Sequence, residues 1–398
     1  MRNGPAFTKP ISQTSPAWQQ LQAWVLQSLS KRREQQRFRQ LKPLQNSPDW
    51  LDLTHNDYLG LGHSADFQSR VRRQCQSDPV GAGASRLLGG EHSIYQKLEA
   101  EFCRFKRVQQ SLYVSSGYTA NEMLSALLQF PQVKIFSDEL NHASIIDGIR
   151  MSQLSKERRC VFPHNDMIAL RQALQKSDAE INFIWTESVF SMDGDFAPLS
   201  ELFQLAEDFR GILLVDEAHA IGCYGPQGEG LFAELGLDAK QCITINPCGK
   251  AVAAGGALLT GPEWFRDYLI NFARPFIFST APSPWVAHAV HTAIQSFPDM
   301  KTERSHLKSI SARLREALTD MGFDVGPSTS HIIPIIVGSE AQSMHLEEHL
   351  RQQQILAKAI RPPTVPPQSC RIRLSLNSHL TDDHINQLIE AFRGWLRR

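Results

Sequence analysis

The sequence predicts an α/β fold: a mostly parallel central sheet with helices on both faces, and a smaller C-terminal α+β domain. Three observations predict it. Short, continuously apolar runs recur through the middle of the chain: SLYVSSG (111–117), VKIFSDE (133–139), INFIWTES (181–188), GILLVDEAHA (211–220) and CITINP (242–247). Strands buried on both faces of a parallel sheet read this way. Helical patterns lie between the runs, as at Pro198–Phe209, and such alternation is the signature of a doubly wound sheet. Finally, 398 residues suffice for a large and a small domain, each with its own core.

In chain order, residues 16–40 read as a helix with apolar Trp18, Leu21, Trp24, Val25, Leu26 and Leu29, ending in a basic stretch from Lys31 to Arg39. Such an arm packs on a body or a partner, or leaves its charges as a solvated face. Residues 1–50 are therefore expected to form an N-terminal helical arm, 51–284 the large domain and 285–398 the small one. Within the last, 285–330 look helical, while HIIPIIVG (331–338) and RIRLSLN (371–377) look like strands.

Composition excludes several classes. The 41 basic and 41 acidic residues cancel, so no global field favours nucleic acid or an anionic membrane. Met1–Pro10 lacks the apolar core of a secretory signal, and no stretch reaches the roughly 18 apolar residues of a membrane span. The seven cysteines are scattered without CxxC spacing, which suits reduced thiols in a cytoplasmic protein and no metal site.

Ligands of open α/β sheets sit beyond the carboxyl ends of the strands, and four segments fall there. Val114–Asn121 turns from a strand into a helix, whose first amides favour phosphate; alone it is equally a plain turn, and GAGASRLLGG (81–90) is equally a flexible loop. Asp216, in Val215-Asp216-Glu217-Ala218-His219, ends an apolar strand and is costly to bury unpaired. A protonated pyridine nitrogen is one suitable partner, with His219 near the ring's phenolic oxygen. The same DEAH letters occur in helicases, but those need a GxxxxGK[ST] loop, which is missing from the sequence. Lys250, in Cys248-Gly249-Lys250-Ala251, sits among small and apolar residues, where an amine becomes a nucleophile. His142, in Asn141-His142-Ala143-Ser144, can stack on a ring or serve structure alone.

As an ordered set, these segments resemble the α-oxoamine synthases among the fold-type I pyridoxal 5'-phosphate (PLP) transferases. The series is Asn56-Asp57-Tyr58-Leu59-Gly60, GAGASRLLGG, SSGYTAN, NHAS, ESVFSMDGD (187–195), DEAHAIG (216–222), the lysine segment and IRPPTVP (360–366). The resemblance implies PLP as cofactor and a decarboxylative condensation of an amino acid with an acyl thioester. Residues 359–366, 371–375 and 268–284 are most similar to the branch taking L-alanine and a pimeloyl thioester, on coenzyme A or acyl-carrier protein. Glycine or serine with another acyl group is the alternative, and an ordinary aminotransferase a more distant one.

The resemblance also implies roles. Lys250 carries the cofactor and Asp216 pairs with its nitrogen. His219 and Ser191 address its ring oxygen, and His142 stacks on the ring. The backbone of Gly117 and Tyr118 holds the phosphate. Ser279 and Thr280 reach the cofactor of the other subunit of a homodimer. Arg361 clamps the substrate carboxylate beside Thr364, and Arg39 touches the acyl substrate. One departure stands out. The family pattern has Thr three residues before the lysine, where this chain has Pro247, which offers no hydroxyl and no N–H. The missing phosphate hydrogen bond costs about 1–3 kcal/mol unless Asn246 or water replaces it.

Overall fold

The computed structural model describes residues 15–35, 37–41 and 50–397. The expectation drawn from Met1–Pro10 lies outside them. The strands are β1 (Leu51–Asp52), β2 (Gln110–Val114), β3 (Val133–Asp138), β4 (Arg159–Phe162), β5 (Ile181–Glu187), β6 (Gly211–Asp216), β7 (Cys242–Pro247), β8 (Ala257–Gly261), β9 (Ile332–Gly338), β10 (Ile355–Leu356), β11 (Lys358–Ile360) and β12 (Cys370–Ser375).

Strands β2 to β8 form the central sheet in the order β2-β8-β7-β6-β5-β3-β4. All pairings are parallel except those of β8, which runs antiparallel to β2 and β7. The five expected strands are present. GILLVDEAHA stops early as a strand, at Asp216, because the Asp216 carboxylate accepts the Ala218 N–H at 2.9 Å and turns the chain. Strands β4 and β8 escaped the sequence pattern. On the sheet edge, only Phe162 of β4 is buried, so the two-sided apolar signature is missing; β8 is five residues long.

Alternate residues of each strand feed opposite cores, as the period of two requires. Phe136, Ile184, Leu213 and Val215 pack with Leu98, Phe102, Leu202 and Val290 on one face. Ile135, Phe183, Trp185, Leu214 and Ile245 pack with Met123, Ile145, Phe265 and Leu269 on the other. Helices thus cover both faces. The chain winds outward from β3 to β4 and in the other direction from β5 to β7, so a crevice opens between the carboxyl ends of β3 and β5.

The C-terminal part has an antiparallel sheet, β11-β12-β9, flanked by helices Lys301–Asp320, Glu340–Gln352 and Asp382–Leu396. Two boundaries differ from expectation. β1 pairs with β10, and Leu53 accepts the Ser375 N–H at 3.0 Å, so residues 51–53 join the small sheet. Helix Pro284–Ser296, at the start of the expected small domain, packs against helix Ser93–Lys106 of the large part.

The arm helix spans Pro16–Glu34 and buries no residue; Trp18 and Trp24 are 57% and 65% exposed. It ends before the expected residue 40. Beyond it, Arg37 pairs with Glu340 at 2.9 Å, so part of the basic stretch is bound rather than solvated. The seven cysteines are unbridged and five are buried. Among the described residues, no helix is long and apolar enough to cross a membrane.

Candidate active site

The strand ends converge on one polar cluster in an apolar frame. Asp216 closes β6 and lies level with Glu187, which closes β5. Its carboxylate is 5% exposed. It accepts from the Asn121 side-chain amide at 2.8 Å and from the Ala218 N–H at 2.9 Å. Asn121 comes from the helix Gly117–Met123 and also donates to Ser144 at 2.9 Å. One carboxamide therefore ties the phosphate-type turn, the NHAS segment and the buried acid together.

Lys250 lies in the loop after β7. That loop closes on itself, with Ala253 N–H to Lys250 C=O at 2.7 Å and Cys248 N–H to Gly256 C=O at 2.9 Å. Gly256, at φ +86°, meets the Tyr113 ring, leaving no room for a side chain there. Burial pushes the Lys250 amine below the usual lysine range, opposed by the charges of Asp216 and Glu187. Burial, reinforced by Asp216, pushes Glu187 well above the usual carboxylate range.

His142 caps the helix Ala143–Met151 and accepts from Ser144 N–H at 3.2 Å. Its own N–H donates to Glu187 at 2.7 Å. Burial pushes its imidazole down, against the pull of Asp216. His219 is fully enclosed, with Nδ1 2.5 Å from the Tyr58 hydroxyl. Burial and then the charge of Lys250 keep it neutral. Tyr58 also contacts Asn56 Oδ1 at 3.1 Å, so the NDYLG segment forms part of this wall.

The two arginine groups fall apart in role. Arg361, the expected carboxylate clamp, lies with Arg37, Arg39 and Thr364 around a 110 Å³ pocket; Arg39 donates to Thr364 at 3.3 Å. Arg373, given no role in the sequence reading, is 9% exposed. It donates to the Ser191 carbonyl at 2.5 Å, to Asn56 at 3.0 Å and to Ser375 at 2.6 Å. Its charge acts directly on Lys250 and His219. The contacts of Arg373 thus run to Ser191, Asn56 and Tyr58.

Gly117 opens its helix beneath Pro247: a β-carbon there would lie 2.6 Å from the proline ring. The first-turn amides of Gly117 and Tyr118 have no intrahelical partner, while the Tyr118 ring is outside, bonded to Asp147. Asn246, the side chain named as a substitute for the missing hydroxyl, is buried. Its amide donates inward, to Thr244 at 2.9 Å and the Leu258 carbonyl at 3.1 Å. Ser279 and Thr280 line a 20 Å³ gap with Ser115, Thr119 and Arg86 of the same chain.

This donor set fits PLP. A buried amine of lowered pKa suits its aldehyde, a fixed carboxylate suits its pyridine nitrogen, and free helix-start amides suit its phosphate. Glu187, Asn121, Tyr58 and Arg373 were missed as individuals, although each sat in a quoted motif. Glu187 did carry a usable signal, since it is an acid ending an apolar strand as Asp216 is.

Comparison with known proteins fits the same architecture. The description "Aminotransferase class I and II" matches residues 48–392. A Geobacillus kaustophilus protein named "Putative 8-amino-7-oxononanoate synthase" is 42% identical over 352 residues, 87% of this chain and 88% of that protein. A solved SPT (serine palmitoyltransferase) with PLP is 25% identical at TM-score 0.81 and covers 87% of each chain. The 8-amino-7-oxononanoate synthase of Francisella tularensis is 27% identical at TM-score 0.76, covering 88% of this chain and 99% of that one. The chain belongs to the aminotransferase class I and II family of PLP-dependent enzymes. Within it, these similarities place the chain among the α-oxoamine synthases, the group its motifs resemble.

Proposed function

We propose that this enzyme condenses L-alanine with a pimeloyl thioester, on coenzyme A or acyl-carrier protein, giving 8-amino-7-oxononanoate, CO2 and the free thiol. This is a step of biotin synthesis. The observation that carries the reading is the 42% identity to a relative of that name across most of both chains. It is supported by a buried lysine amine within electrostatic reach of a fixed carboxylate.

When bound, PLP supplies an electron sink for the carbanion at the substrate Cα. Lys250 would carry the cofactor, and its amine would serve as the base for the Cα proton, its lowered pKa keeping a free base available near neutrality. Asp216, oriented by Asn121, would face the pyridine nitrogen and keep it protonated. His219, held neutral, and Ser191 would address the ring oxygen, and His142 would lie on the ring face. The Gly117 and Tyr118 amides hold the phosphate. Arg373 holds the amino-acid carboxylate, whose loss as CO2 follows acyl transfer. Arg361, Arg39 and Thr364 form a second polar pocket suited to the acyl substrate's far end. The enzyme works as a cytoplasmic homodimer in which Ser279 and Thr280 face the partner's cofactor.

The likeness to SPT favours a second reading, in which glycine or serine meets a different acyl thioester. Product analysis with alanine, glycine and serine against acetyl, pimeloyl and palmitoyl thioesters separates the two. The first reading expects turnover with alanine and pimeloyl at least about tenfold above the other pairs; preference for serine with palmitoyl contradicts it.

A further inference from the structure

A cavity of about 630 Å³ lies in the seam between residues 196–235 of the large part and 301–331 of the C-terminal part. That volume is within the range of roughly 300–1,000 Å³ typical of small-molecule pockets. Its body is apolar, with Leu199, Leu231 and Leu307 in the walls. Its charges are uneven: Lys301, Arg304, Lys308 and Arg315 line it against Glu201 and Glu234.

The two arginines are the informative groups. Arg304 is 8% exposed and donates only to the carbonyls of Phe297, at 2.7 Å, and Pro226, at 3.1 Å. Arg315 donates to the Ser330 carbonyl at 2.9 Å. Among the described residues, neither has a carboxylate within ion-pair distance, and burial lowers the pKa of both. A guanidinium taken from water and given only carbonyls is undercompensated. His331 lines the cavity, is 2% exposed, and its Nε2 has no hydrogen-bond partner among the described residues. Its Nδ1 is occupied, 3.1 Å from the Tyr224 hydroxyl.

We propose that this seam cavity binds a small aliphatic anion, its chain against the leucines and its head group on the helix 301–320 cations. The site is separate from the lysine site yet linked to it. The His331 ring packs edge-on to Tyr58 at 4.0 Å, and the Tyr58 hydroxyl meets His219 at 2.5 Å. An occupant would therefore bridge both parts of the chain and press on the wall of the cofactor site.

Calorimetric titration of the PLP-loaded full chain with octanoate tests this. One equivalent is expected to bind saturably, with octanol at least about tenfold weaker because it lacks the charge. Lys308→Gln should weaken octanoate several-fold. Ala312→Trp or, independently, Leu235→Trp should fill the cavity and remove saturable binding while basal turnover persists. Saturating L-alanine should leave octanoate binding intact. No saturable binding to the wild type, equal binding of octanol, indifference to both tryptophan variants, or displacement by alanine would each overturn the proposal. Since the readout is binding, loss of the assigned reaction would not by itself move it.

Discussion

Asp216 owes its position to two donors, and only one of them is a side chain. Removing it by Asn121→Ala leaves a buried carboxylate short of a charge-assisted bond, a cost of about 1.5–3 kcal/mol. The expected outcome is PLP affinity roughly tenfold or more below wild type, measured by cofactor dialysis, with the far-UV spectrum unchanged. Unaltered retention of PLP would mean that Asp216 does not face the cofactor. The arginines are tested in the same way. Arg373→Ala should raise KM for the amino acid by about 10- to 100-fold, whereas Arg361→Ala should act mainly on KM for the acyl thioester. The reverse pattern would return the carboxylate clamp to Arg361. The proline pair at 362–363 advertises an ordered loop, whereas Arg373 is one of two arginines in an alternating strand, and only the sheet register turns it inward.

The elements show why some parts were legible and others were not. β3, β5, β6 and β7 are buried on both faces, so their composition alone announced them. β4 is an edge, and the arm helix buries nothing; their fates rest on neighbours that local sequence does not encode. The turn from β2 into helix Gly117–Met123 combines both cases. Its motif was readable, but the packing of Pro247 over Gly117 was not. That contact bears on the one departure from the family pattern. Pro247→Thr should restore a hydroxyl at the phosphate turn. The expected result is a PLP dissociation constant several-fold lower, read by fluorescence titration of the apoenzyme. An unchanged or higher constant would show that the phosphate does not lie at this turn.

Across the whole molecule, the seam between large and small parts is built from enclosed imidazoles. Burial, with Arg373 adding to it, pushes His331 down to about 3, and His219 is also pushed far down. The unfolded chain takes up a proton at each near pH 6.5, while the folded chain does not. Stability contributed by these groups is therefore present above about pH 6.5 and lost as pH falls toward 3. Glu187, raised by burial, acts with the opposite sign: its contribution is present below the ordinary glutamate value and is lost as pH rises. The clean comparison is thus wild type against His331→Gln. Urea midpoints between pH 7.5 and 5 should fall less steeply in the variant; parallel slopes would mean that His331 takes up its proton alike in the folded and unfolded chain. The doubly wound sheet and its cluster of strand-end residues were readable from order and spacing. The division of the chain was not, because β1 crosses back to pair with β10 some 300 residues later.

The central claim is that the Lys250 amine carries PLP in the crevice that Asp216 closes. Borohydride reduction of the purified enzyme, followed by digestion and mass spectrometry, reads this directly. The account predicts a single pyridoxyl phosphate adduct, on the peptide containing Lys250, and none in Lys250→Ala, which should also lose turnover. An adduct on another lysine, or normal turnover by the variant, would contradict it.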